Sequence, residues 1–177
     1  MRQNTNRDRV ERLMRELGTS VTSEGRVYFT GGVSAVLLGW RDMTLDVDLK
    51  ADPEPAGFFE SLPRLKNELD INIELAAPDQ FVPPLPGWRE RSRFIAQHGK
   101  VVFLHYDFYS QALAKLERGH ARDRHDVGMM LESGLVEPGR LLALYLEVEN
   151  QMMRYPAVDA EALHERVQAV AREGKWI

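Results

Sequence analysis

The pair Gly31-Gly32, set between an apolar run and a serine, constrains this chain more than any other stretch of its 177 residues. Val27-Tyr28-Phe29-Thr30 before it is β-branched and aromatic, which predicts a short buried strand. Two adjacent glycines then admit a turn with positive φ and leave room beside the backbone for a ligand. After them, Ser34 is predicted as a helix N-cap and Ala35-Val36-Leu37-Leu38 as a short helix that stops at Gly39. Strand, glycine turn and helix start in that order suit an anion, because unpaired N–H groups and the helix dipole point out of the turn.

The opposite charge follows in Leu45-Asp46-Val47-Asp48-Leu49. Strict alternation predicts a strand with Leu45, Val47 and Leu49 toward the core and both aspartates on the other face. Side chains at i and i+2 stand about 7 Å apart along a strand. Two carboxylates held that close repel one another, and without a cation one of them tends to keep its proton. A hard divalent ion removes the conflict. Mg²⁺, bound by one or two carboxylates together with substrate phosphates, fits that donor set, with Mn²⁺ as a substitute. A phosphate cradle beside a metal-binding D-x-D is equipment for phosphoryl or nucleotidyl transfer.

Gly31-Gly32-x-Ser34 joined to Asp46-x-Asp48 resembles the signature of the DNA polymerase β-like nucleotidyltransferase superfamily. Within it the chain is similar to the small proteins grouped with AbiEii-type nucleotidyltransferases, in particular a DUF6036-like family. The likeness runs on through Asn72-Ile73-Glu74-Leu75, Phe81-Val82-Pro83 and the Lys115 to Asp126 region. The resemblance implies an α/β (α+β) nucleotidyltransferase-type fold, with a short mixed sheet and a helical C-terminal half. It also implies roles for two further residues. Glu74 matches the third carboxylate that assists as metal ligand or general base, although aspartate is commoner there. Lys115 matches a lysine that meets the nucleotide triphosphate; its plain alternative is a solvated lysine.

The residues between and beyond these motifs give the frame. Val10, Leu13, Met14 and Leu17 recur at helical spacing, predicting a first helix over 5–18 that Gly18 ends. Its polar face carries Arg7, Arg9, Arg12 and Arg15, but Asp8, Glu11 and Glu16 interrupt them, which reads as a solvated face rather than an RNA-binding stripe. Residues 56–67 read as a helix broken or restarted near Pro63. Leu69 to Leu75 alternates as a strand, with Glu74 and Asn72 falling on the side of Asp46 and Asp48 if the two strands pair with apolar faces aligned. Arg89, Arg91 and Arg93 at period 2 predict one face of an edge strand guarded by charge. Val101-Val102-Phe103-Leu104 predicts a buried strand. Beyond it the chain turns helical, with Asp107, Pro138 at N1 and Asp159 as start signals. Asp123 lies on the core side of its helix, where a carboxylate needs a partner, most simply Lys115 or Arg118. The predicted organisation is an N-terminal helix over 1–20, an α/β core over 21–106 and a helical region over 107–177 packed on the core.

Composition narrows the function further. The chain has 44% hydrophobic residues, enough for a core, and its formal charge of -4 gives no general affinity for nucleic acid. No apolar run approaches the ~20 residues of a membrane span, and Met1-Arg2-Gln3-Asn4 leads into charge rather than an apolar signal segment. The absence of cysteine suits the cytoplasm and excludes thiolate metal sites. The reading that follows is transfer of a nucleoside monophosphate from an NTP to an acceptor hydroxyl on tRNA, protein or a small molecule. Asp46, Asp48 and Glu74 are the catalytic set, Asp46 and Asp48 the metal ligands, and Gly31, Gly32, Ser34 and Lys115 the nucleotide contacts. A toxin–antitoxin or defence pair with a cognate protein partner, and a homodimer formed through the amphipathic helices, stay open. So does a non-catalytic partner of the same fold, an antitoxin or regulatory subunit, that binds nucleotide or protein.

Overall fold

The computed structural model describes residues 4–177; the polar lead Met1-Arg2-Gln3 lies outside the described residues. The chain folds into two compact units, Met1–Ala77 with Ser92–Tyr106, and Pro78–Arg91 with Asp107–Ile177. The class is α+β: a small mixed sheet with helices in the first unit, and helices alone in the second.

In the first unit β1 (Thr5–Asn6) leads into α1 (Arg7–Ser20), whose first turn is capped by the Asn6 side chain accepting from Arg9 N–H at 3.0 Å. Then come β2 (Gly25–Thr30), α2 (Gly32–Leu37), β3 (Met43–Thr44), β4 (Asp46–Ala51), α3 (Phe58–Glu68), β5 (Asn72–Leu75), β6 (Arg93–His98) and β7 (Val101–His105). The sheet order is β5-β4-β2-β7-β6, with β1 and β3 forming a separate antiparallel ribbon. Strand β2 is antiparallel to β4 and parallel to β7, β4 is parallel to β5, and β6 closes the edge antiparallel to β7. One sheet face carries Val27, Phe29, Val47, Leu49, Ile73 and Phe103, buried against Val10, Leu13 and Leu17 of α1 and Phe58, Leu62 and Leu65 of α3. Each such side chain taken out of water stabilises the fold by about 1.5–3 kcal/mol.

The structure departs from the sequence pattern at several points. Gly18 does not end α1; the helix continues to Ser20, and a Cβ at position 18 would lie 2.5 Å from His98 O. The glycine is needed because the β6–β7 turn closes onto the helix backbone. Leu45 lies just before β4 and is exposed, so the inward set begins at Val47. Pro63 sits inside a continuous α3, and Leu69 is that helix's C-cap, so the strand begins only at Asn72.

The second unit opens with a 3₁₀ turn (Pro78–Gln80) and α4 (Trp88–Arg91), then continues with α5 (Phe108–Arg118), α6 (Ala121–Glu132), α7 (Pro138–Val148), a 3₁₀ segment (Glu149–Arg154) and α8 (Ala160–Glu173). The start signals work as expected. Asp107 accepts from the N–H groups of Tyr109 and Ser110, Glu137 from those of Gly139 and Arg140 with Pro138 at the helix start, and Asp159 from that of Ala162. Leu113, Leu116, Val127, Met130, Leu141, Tyr145, Leu163 and Val167 are buried along α5–α8. One division between the units falls after Tyr106, α1 lies in the same unit as the sheet, and residues 78–91 lie in the same unit as the later helices. Val82, Leu85 and Trp88 are buried, and Arg91 grips Asp107 with two hydrogen bonds, at 3.0 and 2.8 Å. Among the described residues no helix is long and apolar enough to cross a membrane.

Candidate functional site

The polar face of the sheet is assembled by register. β4 and β5 run parallel with Asp46 opposite Asn72 and Asp48 opposite Glu74, while Val47 and Ile73 between them point to the core. Neighbouring residues in register share a face, so Asp46, Asp48, Asn72 and Glu74 stand together on the side away from α1 and α3. The Asn72 amide bridges two of the acids, donating to Asp46 Oδ1 at 2.6 Å and to Glu74 Oε1 at 3.2 Å. Asp46 and Asp48 are half-buried, and Glu74 is exposed.

The glycine turn comes to the same place. Thr30, the last residue of β2, pairs with Asp48, and Gly31 follows at φ 66, where a side chain would be strained. A Cβ at Gly31 would lie 3.0 Å from Asp48 Oδ2, and one at Gly32 would meet Thr44 Oγ1. The room left by the two glycines is thus used by the chain's own polar side chains. Helix α2 begins at Gly32 itself and spans six residues, too short for its dipole to dominate an anion site.

Ser34 departs from its expected role. It lies inside α2, is 1% exposed, and its Oγ donates to Phe29 O at 3.3 Å and sits 2.9 Å from His105 Nδ1. Gly31 is the N-cap instead, because the positive φ starts the helix two residues earlier than the serine. His105, at the end of β7, is the residue that sequence reading missed. Its pKa falls to about 4, first because burial disfavours the imidazolium and then because of the Arg93 charge, so the ring is neutral at pH 7. Its only signal in the sequence is a polar residue closing an apolar strand.

Lys115 is not a solvated lysine. It is buried in α5, with Nζ 2.9 Å from Asp126 Oδ2 and 3.6 Å from Asp123 Oδ1. Asp123 is fully buried and pairs as expected, accepting two hydrogen bonds from Arg118 at 3.0 and 2.6 Å. Burial alone pushes the Asp123 carboxyl up, but the Arg118 hydrogen bonds and charge, Lys115 and the His120 amide together hold it below its ordinary value. The three arginines read as one strand face are separated. Arg89 stacks over Trp88 at 4.4 Å in α4, Arg91 holds Asp107, and only Arg93 lies on a strand, β6.

No family model, curated protein or solved structure matches the chain.

The chemistry open to this face is set by its donor groups. Among the described residues no three His, Asp or Glu side chains are drawn close enough to hold a metal ion by themselves. Two half-buried aspartates at i and i+2, with hard oxygen donors, fit an ion that takes few protein ligands and completes its shell from water and phosphate. They do not fit a closed structural site of the zinc kind.

Proposed function

We propose that the first unit carries a metal-dependent nucleotidyl-transfer site, which moves a nucleoside monophosphate from an NTP to an acceptor hydroxyl. The reading is supported by one arrangement: the Gly31 turn abuts the Asp48 carboxylate, while the β4–β5 register sets Asp46 and Glu74 on that same face. Asp46 and Asp48 would hold Mg²⁺ or Mn²⁺, which when bound neutralises charge on the attacking and leaving oxygens. The backbone at Gly31 and Gly32 would face the pyrophosphate side of the nucleotide. Asn72 keeps Asp46 and Glu74 at a fixed spacing, and Glu74, open to solvent, would receive the acceptor's proton. The acceptor is a hydroxyl of tRNA, protein or a small molecule, and the resemblance to AbiEii-type proteins supports a setting in a toxin–antitoxin or defence pair in the cytoplasm.

A second reading rests on Ser34 and Lys115. Both are buried and engaged inside the protein, so two expected nucleotide contacts are committed to structure. That favours a binding partner of the same fold without transfer chemistry. The experiment that separates the two incubates pure protein with α-labelled NTPs, Mg²⁺ or Mn²⁺, and total RNA or protein. Label in an acceptor pool supports transfer. Nucleotide-dependent thermal stabilisation without label in any pool supports the binding partner and removes the transferase.

A further inference from the structure

Strand β2 ends before it reaches the first acid. Its antiparallel register with β4 stops at Thr30 opposite Asp48, and two further residues of strand would set Gly32 opposite Asp46. The chain instead enters α2 at Gly32, so among the described residues Asp46 has a strand neighbour on one side, Asn72 of β5. Thr44 stands in for the missing neighbour. Its Oγ1 donates to Asp46 O at 3.1 Å, and Gly32 makes room for it. A Cβ at Gly32 would meet Thr44 Oγ1, and would lie 2.9 Å from Thr44 Cβ and 3.3 Å from Arg41 Nη1. Gly32, unlike Gly31, does not have a positive φ, so its lack of a side chain serves space rather than backbone conformation. Thr44 is held in turn by β1, where the buried Thr5 pairs with it and Asn6 pairs with Met43 before capping α1. A β-branched side chain on a paired strand has few rotamers open to it, so the hydroxyl is delivered to one place.

We infer that Thr44 is a positioning residue of the acid pair, setting the Asp46 carboxylate relative to Asp48 by fixing the end of β4. The inference rests on the metal-binding reading of the two aspartates. Asp48 lies inside β4 with β2 on one side and β5 on the other, so its backbone is already fixed. Asp46 is the first residue of the strand. A strand end held by one neighbour can twist away, and a carboxylate that shifts against its partner loses the near-octahedral geometry a small divalent ion demands. The Asn72 amide restrains the Asp46 side chain at 2.6 Å, and the Thr44 hydroxyl restrains its backbone. The two glycines then have separate duties toward the acids. Gly31 leaves space for the Asp48 carboxylate, and Gly32 leaves space for the hydroxyl that holds Asp46. In this role Thr44 touches neither nucleotide nor metal. Partners that orient a metal ligand in this way are worth about 10- to 100-fold in metal affinity.

The test measures Mn²⁺ binding by the full chain, from the loss of the free-ion electron paramagnetic resonance signal. Thr44→Val keeps the branched shape and removes the hydroxyl. It should weaken Mn²⁺ binding by about 10-fold or more. Its melting temperature should shift by no more than about 4 °C, since one hydrogen bond is lost and no cavity is made. Thr44→Ser keeps the hydroxyl and should bind within about threefold of the natural chain. Gly32→Ala reaches the same hydroxyl from the other side and should give the loss with Thr44 unchanged, which keeps the test decisive where Thr44→Val does not fold. Absence of Mn²⁺ binding by the natural chain, natural affinity in Thr44→Val or Gly32→Ala, or equal losses in Thr44→Ser and Thr44→Val would overturn the assignment. In the label assay, raising Mn²⁺ should restore the rate of Thr44→Val, which a purely structural defect would not allow. A chain that binds Mn²⁺ with this dependence on Thr44 yet transfers no label loses the transferase reading and keeps this one. A chain that transfers label with an unchanged Mn²⁺ requirement in Thr44→Val keeps the transferase and loses Thr44.

Discussion

Both units hold a pair of aspartates, and the pairs are built in opposite ways. Asp123 and Asp126 are out of water, and each meets a cation from the adjoining helix, Arg118 for one and Lys115 for both. Asp46 and Asp48 stand half in solvent beside Glu74, and the group bridging Asp46 to Glu74 is the neutral amide of Asn72. A buried carboxylate must find its counter-charge within the chain, because water is not there to supply it. A half-exposed carboxylate can also draw on water and ions from solution. Charge matched out of water therefore marks a structural element, and half-exposed acids keep access to solvent.

The difference is broken most severely by removing the charges of the surface pair. Asp46→Asn with Asp48→Asn should lower label transfer by about a thousandfold or more. The same protein without ligand should melt at the same temperature or higher, since the mutual repulsion is gone. Mg²⁺ with NTP at 100 times the dissociation constant should add about 2.7 kcal/mol to the natural chain and nothing to the variant. A double variant that melts well below the natural chain would put this pair in the same class as the buried one.

Asp123→Ala tests the other side. It strips two hydrogen bonds from Arg118 and leaves a cationic pair facing a void, so urea denaturation should show a loss of about 3–5 kcal/mol. An unchanged midpoint would mean that Asp123 is no pin at all.

The third effect comes from the first unit's core and depends on pH. His105 stays neutral in the folded state down to about 4, whereas the unfolded chain takes up the proton near 6.5. Between those values the unfolded state holds more protons, so stability rises with pH, by roughly 3 kcal/mol across the window, and is complete above it. His105→Asn should flatten that part of the curve. Asp123, whose carboxyl is held below 3.8, contributes stability that is lost only at lower pH, so the two windows can be read separately. The smallest effect is expected at Glu74→Gln, which should change stability by no more than about 0.5 kcal/mol because the side chain is exposed.

Local signals carried much of this structure into the sequence. The apolar spacing of Val10, Leu13, Met14 and Leu17 announced α1, and the caps at Asp107, Glu137-Pro138 and Asp159 announced three later helices. The pairing of Asp123 was legible because an acid on an apolar helix face has few ways to be satisfied. What could not be read is what depends on distant backbone. Ser34 looks like a cap until β7 brings His105 beneath it. Lys115 looks solvated until α6 supplies two acids around it. The nearness of Arg41 to Gly32 is set by a loop, where no periodicity exists to report it.

The path of the chain has a consequence for heredity. Strand β7, which lies beside β2 near the middle of the sheet, is reached only after the chain has left the first unit at Ala77 and returned at Ser92. It then leaves again after Tyr106. No single cut in the gene separates the two units. A fragment ending at residue 106 would keep Val82, Leu85 and Trp88 but lack the α5 and later helices of the unit in which they are buried. A fragment starting at 107 would lack Arg91, the partner of its first capping residue. Recombination that exchanges whole modules at one boundary should therefore have found this protein hard to divide, and its two halves should have been inherited, duplicated or lost together.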